Sequence, residues 1–272
     1  MKKTSKRLIY ALAISALMGT SCQNKNVNQS VEAEPTLYQV STIQALTAGY
    51  YYPVCTVGEL LSHGNFGIGT FEAVDGEMIV LDGVCYRAKS DGTVAVVSNE
   101  ANVPFASVAN YEPSKEIDIQ GVASLDSLKA VLTEATVEFG TNYFLACRID
   151  GKFPAMHVRT EEKSPYPYIP FAEWLKTAQR VFEYTDQEGT LVALYCPEFA
   201  KGQNVSGWHI HFISSDKARG GHVLDLAMES GHAGFAKISN MSMKLPNDTV
   251  FKHLELGGQA GNVAAAESGK VK

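Results

Sequence analysis

Gly207-Trp208-His209-Ile210-His211-Phe212, resumed after a polar interval by Gly220-Gly221-His222-Val223-Leu224-Asp225, is the stretch that decides how this chain reads. Side chains alternate faces along a strand, so His209 and His211 point one way while Trp208, Ile210 and Phe212 point the other. Ser214-Ser215-Asp216-Lys217-Ala218-Arg219 is polar and turn-like, which makes the whole a hairpin. An even number of loop residues puts His222 on the histidine face, diagonal to His211 at about 7–8 Å. Three neutral imidazoles with an open position form the ligand set of a catalytic rather than structural Zn²⁺. Imidazole also suits Mn²⁺ and Co²⁺, so the ion itself is not specified.

Upstream, the N-terminus reads as an export signal. Lys2, Lys3, Lys6 and Arg7 precede an apolar run from Leu8 to Met18, too short to span a bilayer, and Gly19-Thr20-Ser21-Cys22 follows. Residues 1–22 are therefore expected to be a signal peptide of lipoprotein type, with Cys22 acylated and 23–36 a polar tether. The expected location is outside the cytoplasm, with a lipid anchor as the sole membrane contact. Without the signal, 19 basic residues face 29 acidic ones, a formal charge of −10. That balance argues against nucleic acid as a partner, and an anionic ligand would need locally placed cations. The other cysteines, Cys55, Cys85, Cys147 and Cys196, are widely spaced with no Cys-x-x-Cys. They do not form a zinc cluster, and they leave both two disulfides and four free thiols open.

Short helices are signalled by Ser41 with Gln44, Thr56 with Glu59, Ser124 before Leu125, and Pro170 before an apolar series from Phe171 to Phe182. The remainder reads as short strands: 67–74, 77–81, 84–88, 94–97, 142–149, 155–159, 189–195, 207–213, 222–228 and 235–242. Asp75-Gly76, Asp82-Gly83 and Asp91-Gly92 supply hairpin turns. Strands grouped in hairpins with few helices predict an α+β class of two β-rich lobes with mainly antiparallel or mixed sheets. The lobes are expected at 37–150 and 151–272.

Outside the hairpin, Glu77 shares a strand face with Ile79 and Leu81, a costly place for an acid unless it is paired. Arg159 offers a bidentate clamp for a carboxylate, and Arg148 competes for that role on equal terms. Thr70, at the start of a strand beside Gly67-Ile68-Gly69, could face a site, and the absence of a following Lys there argues against a phosphate cradle. His63, His157, His232 and His253 have no partners in register and read as structural.

Taken together, Gly67-Ile68-Gly69-Thr70, Asp75-Gly76-Glu77-Met78-Ile79, Arg159-Thr160, the His-x-His of 208–212 and Gly220-Gly221-His222-Val223-Leu224 resemble the bacterial α-acetolactate decarboxylase family. The resemblance runs from about Leu37 to the C-terminus. It implies one Zn²⁺ on His209, His211 and His222, with Thr70, Glu77 and Arg159 at the site and no organic cofactor. A family glutamate lies in an Ala-Glu-Ser tail, and Ala266-Glu267-Ser268 matches it, so the resemblance selects Glu267 over Glu255 and folds the tail back to the metal. The implied enzyme is a carboxy-lyase of acetoin biosynthesis and the butanediol pathway. It converts 2-acetolactate, a small 2-hydroxy-3-keto acid (2-hydroxy-2-methyl-3-oxobutanoate), into (R)-acetoin and CO₂, with the metal as Lewis acid and Glu77 or Glu267 as proton donor. An exported zinc hydrolase and a non-enzymatic lipoprotein that binds metal or ligand are the alternatives. The sequence leaves a homodimer open.

Overall fold

Glycines that fall at the ends of the expected strands or between them lie inside three very long strands. The structure, a computed structural model, describes residues 34–256 together with 263, 264 and 267; the expected signal, Cys22 and most of the tether lie outside the described residues. In chain order the strands are β1 (Thr36–Val40), β2 (Cys55–Thr56), β3 (Phe66–Thr70), β4 (Glu77–Leu81), β5 (Val84–Ala88), β6 (Val94–Val96), β7 (Asn102–Val103), β8 (Phe105–Ala109), β9 (Lys115–Val122), β10 (Phe144–Glu161), β11 (Gln179–Cys196), β12 (Gly207–Ser214), β13 (Gly220–Ile238) and β14 (Asn240–Lys244). The helices are α1 (Ile43–Thr47), α2 (Val57–Leu61), α3 (Leu125–Ala135), α4 (Phe171–Ala178) and α5 (Thr249–Lys252). The class is α+β, as expected. The tether expected to run to residue 36 gives way to β1 at Thr36.

One sheet has seven strands in the order β14-β1-β8-β3-β4-β5-β6, antiparallel except where β1 meets β14. In the other, β10, β11, β12 and β13 pair in sequence and β13 pairs back to β10, so the ladder closes on itself; β9 attaches to β13. Closure removes free edges from four strands. The segments expected at 142–149 and 155–159 are one strand, β10, and those at 222–228 and 235–242 are largely one strand, β13. Gly151 stands opposite both Gly189 and Gly231. A Cβ at Gly189 would lie 2.5 Å from the carbonyl oxygen of Ile213, and one at Gly151 would lie 2.7 Å from that of Ser230. The glycine row thus serves close strand approach rather than chain reversal.

The expected lobe boundary at 150/151 falls in the middle of β10, and the two sheets are not sequence halves. Early β9 belongs to the closed sheet, late β14 to the open one, and the chain from Glu34 onward forms one compact unit. Alternation explains how they join. Leu191 and Ala193 of β11 and Ile210 and Phe212 of β12 fill the closed sheet's interior. Their neighbours Val192, Leu194 and Ile213 pack outward against Ile68, Ile79 and Leu81 of the open sheet. Each such fully buried side chain contributes about 1.5–3 kcal/mol. His209 and His211 share the outward face with Ile213.

Local signals fared unevenly. Thr56 caps α2 and Ser124 caps α3, both through the N3 amide. The cap of α1 is Thr42, because Ser41 takes a φ of 59°. The helix after Pro170 stops at Ala178, and Val181 and Phe182 belong to β11 instead. The strand expected at 67–74 ends at Thr70; Glu72–Val74 form a single 3₁₀ turn. Cys55, Cys85, Cys147 and Cys196 are all buried free thiols.

Candidate metal and active site

The hairpin delivers its three histidines to one point. His211 lies directly opposite His222 across the β12–β13 ladder, and His209 is the diagonal neighbour, a one-step correction to the expected register. His209 Nε2 is 3.1 Å from His222 Nδ1 and 3.2 Å from His211 Nε2. The rings are 8 %, 1 % and 4 % exposed for His209, His211 and His222.

Two backbone carbonyls set the tautomers. His211 Nδ1 lies 2.9 Å from the Met78 oxygen, so it must donate, leaving the Nε2 lone pair for the centre. His222 Nε2 lies 3.1 Å from the Glu267 oxygen and likewise donates, turning its Nδ1 lone pair inward. Two lone pairs therefore meet at His209 Nε2, which has at most one proton to offer. A cation satisfies all three nitrogens together, so the donor set fits a divalent metal of the Zn²⁺ type. Burial keeps the rings neutral: desolvation, aided by Arg159, lowers His209 to about 3. Desolvation outweighs Glu77 in lowering His211 to about 3, and desolvation with Arg159 holds His222 well below its usual range.

Carboxylates flank the histidines on two sides. Glu77, brought by β4, places Oε2 3.4 Å from His211 Nε2. Glu267, brought by the tail, places Oε2 3.5 Å from His209 Nε2 and 3.9 Å from His222 Nε2. Desolvation raises the Glu267 carboxyl to about 7, against the opposing pull of Arg159 and Lys129. Glu255 is exposed.

Arg159 is a buried bridge. Its Nη1 donates to Glu77 Oε1 at 2.7 Å and to Glu161 Oε2 at 3.0 Å, and its Cζ stands 5.7 Å from the Phe171 ring centroid. The register of β10 against β13 shifts by one residue between His157 and Val158, which brings Arg159 opposite His222. Arg148 instead pairs with Asp82 and Asp150 near the surface and does not join the cluster. Thr70 stands opposite Glu77, and its hydroxyl donates to the Gly76 carbonyl at 2.8 Å, closing the turn that presents the acid.

Glu161 is the residue the sequence reading missed. Its side chain is completely buried, and desolvation followed by the Glu77 charge raises its carboxyl well above the ordinary range. The signal was present, since Arg159-Thr160-Glu161 places arginine and acid on one strand face. His63 stacks on Tyr38 and His232 pairs with Asp118, both away from this cluster.

The alpha-acetolactate decarboxylase family model matches residues 37–258. An alpha-acetolactate decarboxylase of Methanosarcina mazei is 40% identical over 247 residues, 88% of this chain and 84% of that protein. One from Bacillus licheniformis is 35% identical over 246 residues, 90% of this chain and 93% of its own. The crystal structure of alpha-acetolactate decarboxylase from Bacillus subtilis strain 168 superposes with a TM-score of 0.82 at 35% identity, covering 85% of this chain and 99% of that one. With identity of this order spanning nearly the whole described chain, the protein belongs to the alpha-acetolactate decarboxylase family.

Proposed function

We propose that the protein decarboxylates 2-acetolactate to acetoin and CO₂ with a divalent metal, Zn²⁺ by preference, held by His209, His211 and His222. The observation that carries this reading is the pair of imidazole lone pairs directed at His209 Nε2, flanked by Glu77 and Glu267. When bound, a divalent cation supplies Lewis-acid stabilisation of negative charge on the substrate's oxygens.

The chain's own groups do the rest. The bond from C2 to the carboxylate carbon breaks, CO₂ leaves, and the electron pair moves through C2–C3 to the ketone oxygen. C2 must then gain a proton from one face for a single acetoin enantiomer, (R), to form. Glu267 suits that task by its place, with its carboxyl beside His209 and His222 and burial favouring the protonated form that can release a proton there. Solvent returns the proton consumed in each turnover. Glu77 is tied to Arg159, which makes it a positioning anion for the guanidinium and for His211 rather than the first choice of acid. Thr70 keeps Glu77 at the head of its strand.

The test is turnover of racemic acetolactate by metal-loaded protein, followed by CO₂ release and chiral analysis of acetoin. His209→Ala is expected to lose both metal and turnover, and Glu267→Gln to retain metal while kcat falls roughly 10²–10⁴-fold. A metal-free variant with full activity overturns the proposal. The export signal and acylated Cys22 belong to the same proposal and are tested by radiolabelled palmitate incorporation in wild type against Cys22→Ser.

A further inference from the structure

The cavity beside the histidines, about 770 Å³, is lined by His209, His222 and Glu267, but not by Arg159, Glu77 or His211. A substrate entering here meets a different set of charges from the buried Arg159 bridge. Arg159 is 2 % exposed and already answers two carboxyl groups. The lysines on the cavity wall are Lys129 and Lys201. Lys201 is paired with Glu198 at 3.2 Å, whereas Lys129 has no ion pair among the described residues.

The placement of Lys129 is built into α3. Leu125, Lys129 and Thr133 follow at i, i+4 spacing and share one helix face. At one end the Leu125 amide donates to Asp225 Oδ1 at 2.8 Å, on the strand that carries His222. At the other, Trp208 Nε1, beside His209, donates to Thr133 Oγ1 at 3.2 Å. Both ends of that face are thus bonded to the ligand-bearing strands, with Lys129 between them.

We propose that Lys129 is the docking cation for the carboxylate of the substrate anion in this cavity. The inference rests on the decarboxylase reading for the identity of that anion. The carboxylate keeps much of its charge until the C–C bond has broken, so the ion pair with Lys129 is made in the bound ground state and largely kept at the transition state. Its loss weakens binding without slowing the bound complex.

The experiment compares wild type, Lys129→Gln and Lys129→Arg, all metal-loaded, in two measurements. In turnover of acetolactate, Lys129→Gln is expected to raise KM roughly tenfold with kcat held within about threefold, and Lys129→Arg to restore KM. In calorimetry, wild type is expected to bind 2,3-dihydroxy-2-methylbutanoate, which lacks the ketone and cannot lose CO₂, about tenfold more tightly than its neutral amide. Lys129→Gln should abolish that preference and Lys129→Arg keep it. A Lys129→Gln protein with unchanged KM, or unchanged preference for acid over amide, overturns the proposal. If wild type fails to decarboxylate acetolactate yet prefers acid to amide through Lys129, the functional reading falls and the docking role stands.

Discussion

Replacing Glu77 and Glu161 by glutamine, singly and together, is expected to be strongly non-additive. One guanidinium charge sits between two buried carboxyl groups at 2.7 and 3.0 Å, with side-chain exposures of 2 % for Arg159, 7 % for Glu77 and 0 % for Glu161. Two carboxylates against one cation would leave a net buried charge, and Glu161 avoids this by holding its proton. Glu161→Gln therefore replaces one neutral group by another and should cost about 1 kcal/mol or less. In Glu77→Gln, Glu161 can shed its proton and take over Arg159, holding the loss to about 1–2 kcal/mol. The double variant strands a buried guanidinium without an anion, which costs about 3–5 kcal/mol. The coupling is then roughly 1–2 kcal/mol beyond the sum of the singles. Urea unfolding in excess chelator reads the cycle directly, because metal linkage is held at zero. Additive single and double values would mean that the proton on Glu161 does not buffer Arg159, and would refute the reasoning. The same proton has a pH signature. A carboxyl raised in the folded state stabilises fully below its unfolded value of about 4.3, and that stability is lost as pH rises through the folded value. Wild type should therefore lose stability relative to Glu161→Gln as pH increases from about 4.3.

Three further outcomes follow from the same geometry. Gly221 has φ +148°, and a Cβ there would lie 2.6 Å from the Arg159 carbonyl oxygen, beside His222. Gly221→Ala should cost about 2–3 kcal/mol, lower Tm by roughly 5–10 °C and weaken metal binding; an unchanged Tm and affinity would contradict the close approach. In metal-free protein, ¹³C NMR should find Glu267 titrating near 7, and addition of Zn²⁺ should drive it down, since a nearby cation favours the carboxylate. A normal value before metal is added would remove the case for Glu267 as acid. His209 and His211, lowered to about 3, contribute stability that is complete above the unfolded value of about 6.5 and lost as pH falls toward 3. Circular dichroism of metal-free protein from pH 7 to 3 should show this loss, and His211→Asn should flatten it.

Much of the candidate metal site's histidine cluster was legible because a strand's period of two is a local property. Alternation put His209 and His211 on one face, an even loop put His222 with them, and the apolar residues between them had to enter a core. Caps at Thr56 and Ser124 were equally local. The strands at the glycine row were misread for a tertiary reason. The breaks expected at 150–154 and 229–234 contain Gly151 and Gly231, which sit where neighbouring strands approach too closely for a side chain. The helix after Pro170 ended early for a similar reason: Val181 and Phe182 pair with Arg159 and Val158 in the β10–β11 ladder instead of continuing the helix.

The sequence by itself determined which residues could hold a metal, that acids and an arginine stood on strand faces where they needed partners, and that the chain was α+β. Spacing along one strand or hairpin suffices for such statements. Only the tertiary structure decided that β10 to β13 close on themselves, that Glu77 faces His211 while Glu267 faces His209 and His222, and that Arg159 is shared with Glu161. It alone put Lys129 on the cavity wall. These groups lie far apart in sequence, and burial of charge, which depends on everything packed around it, determines which of them must meet.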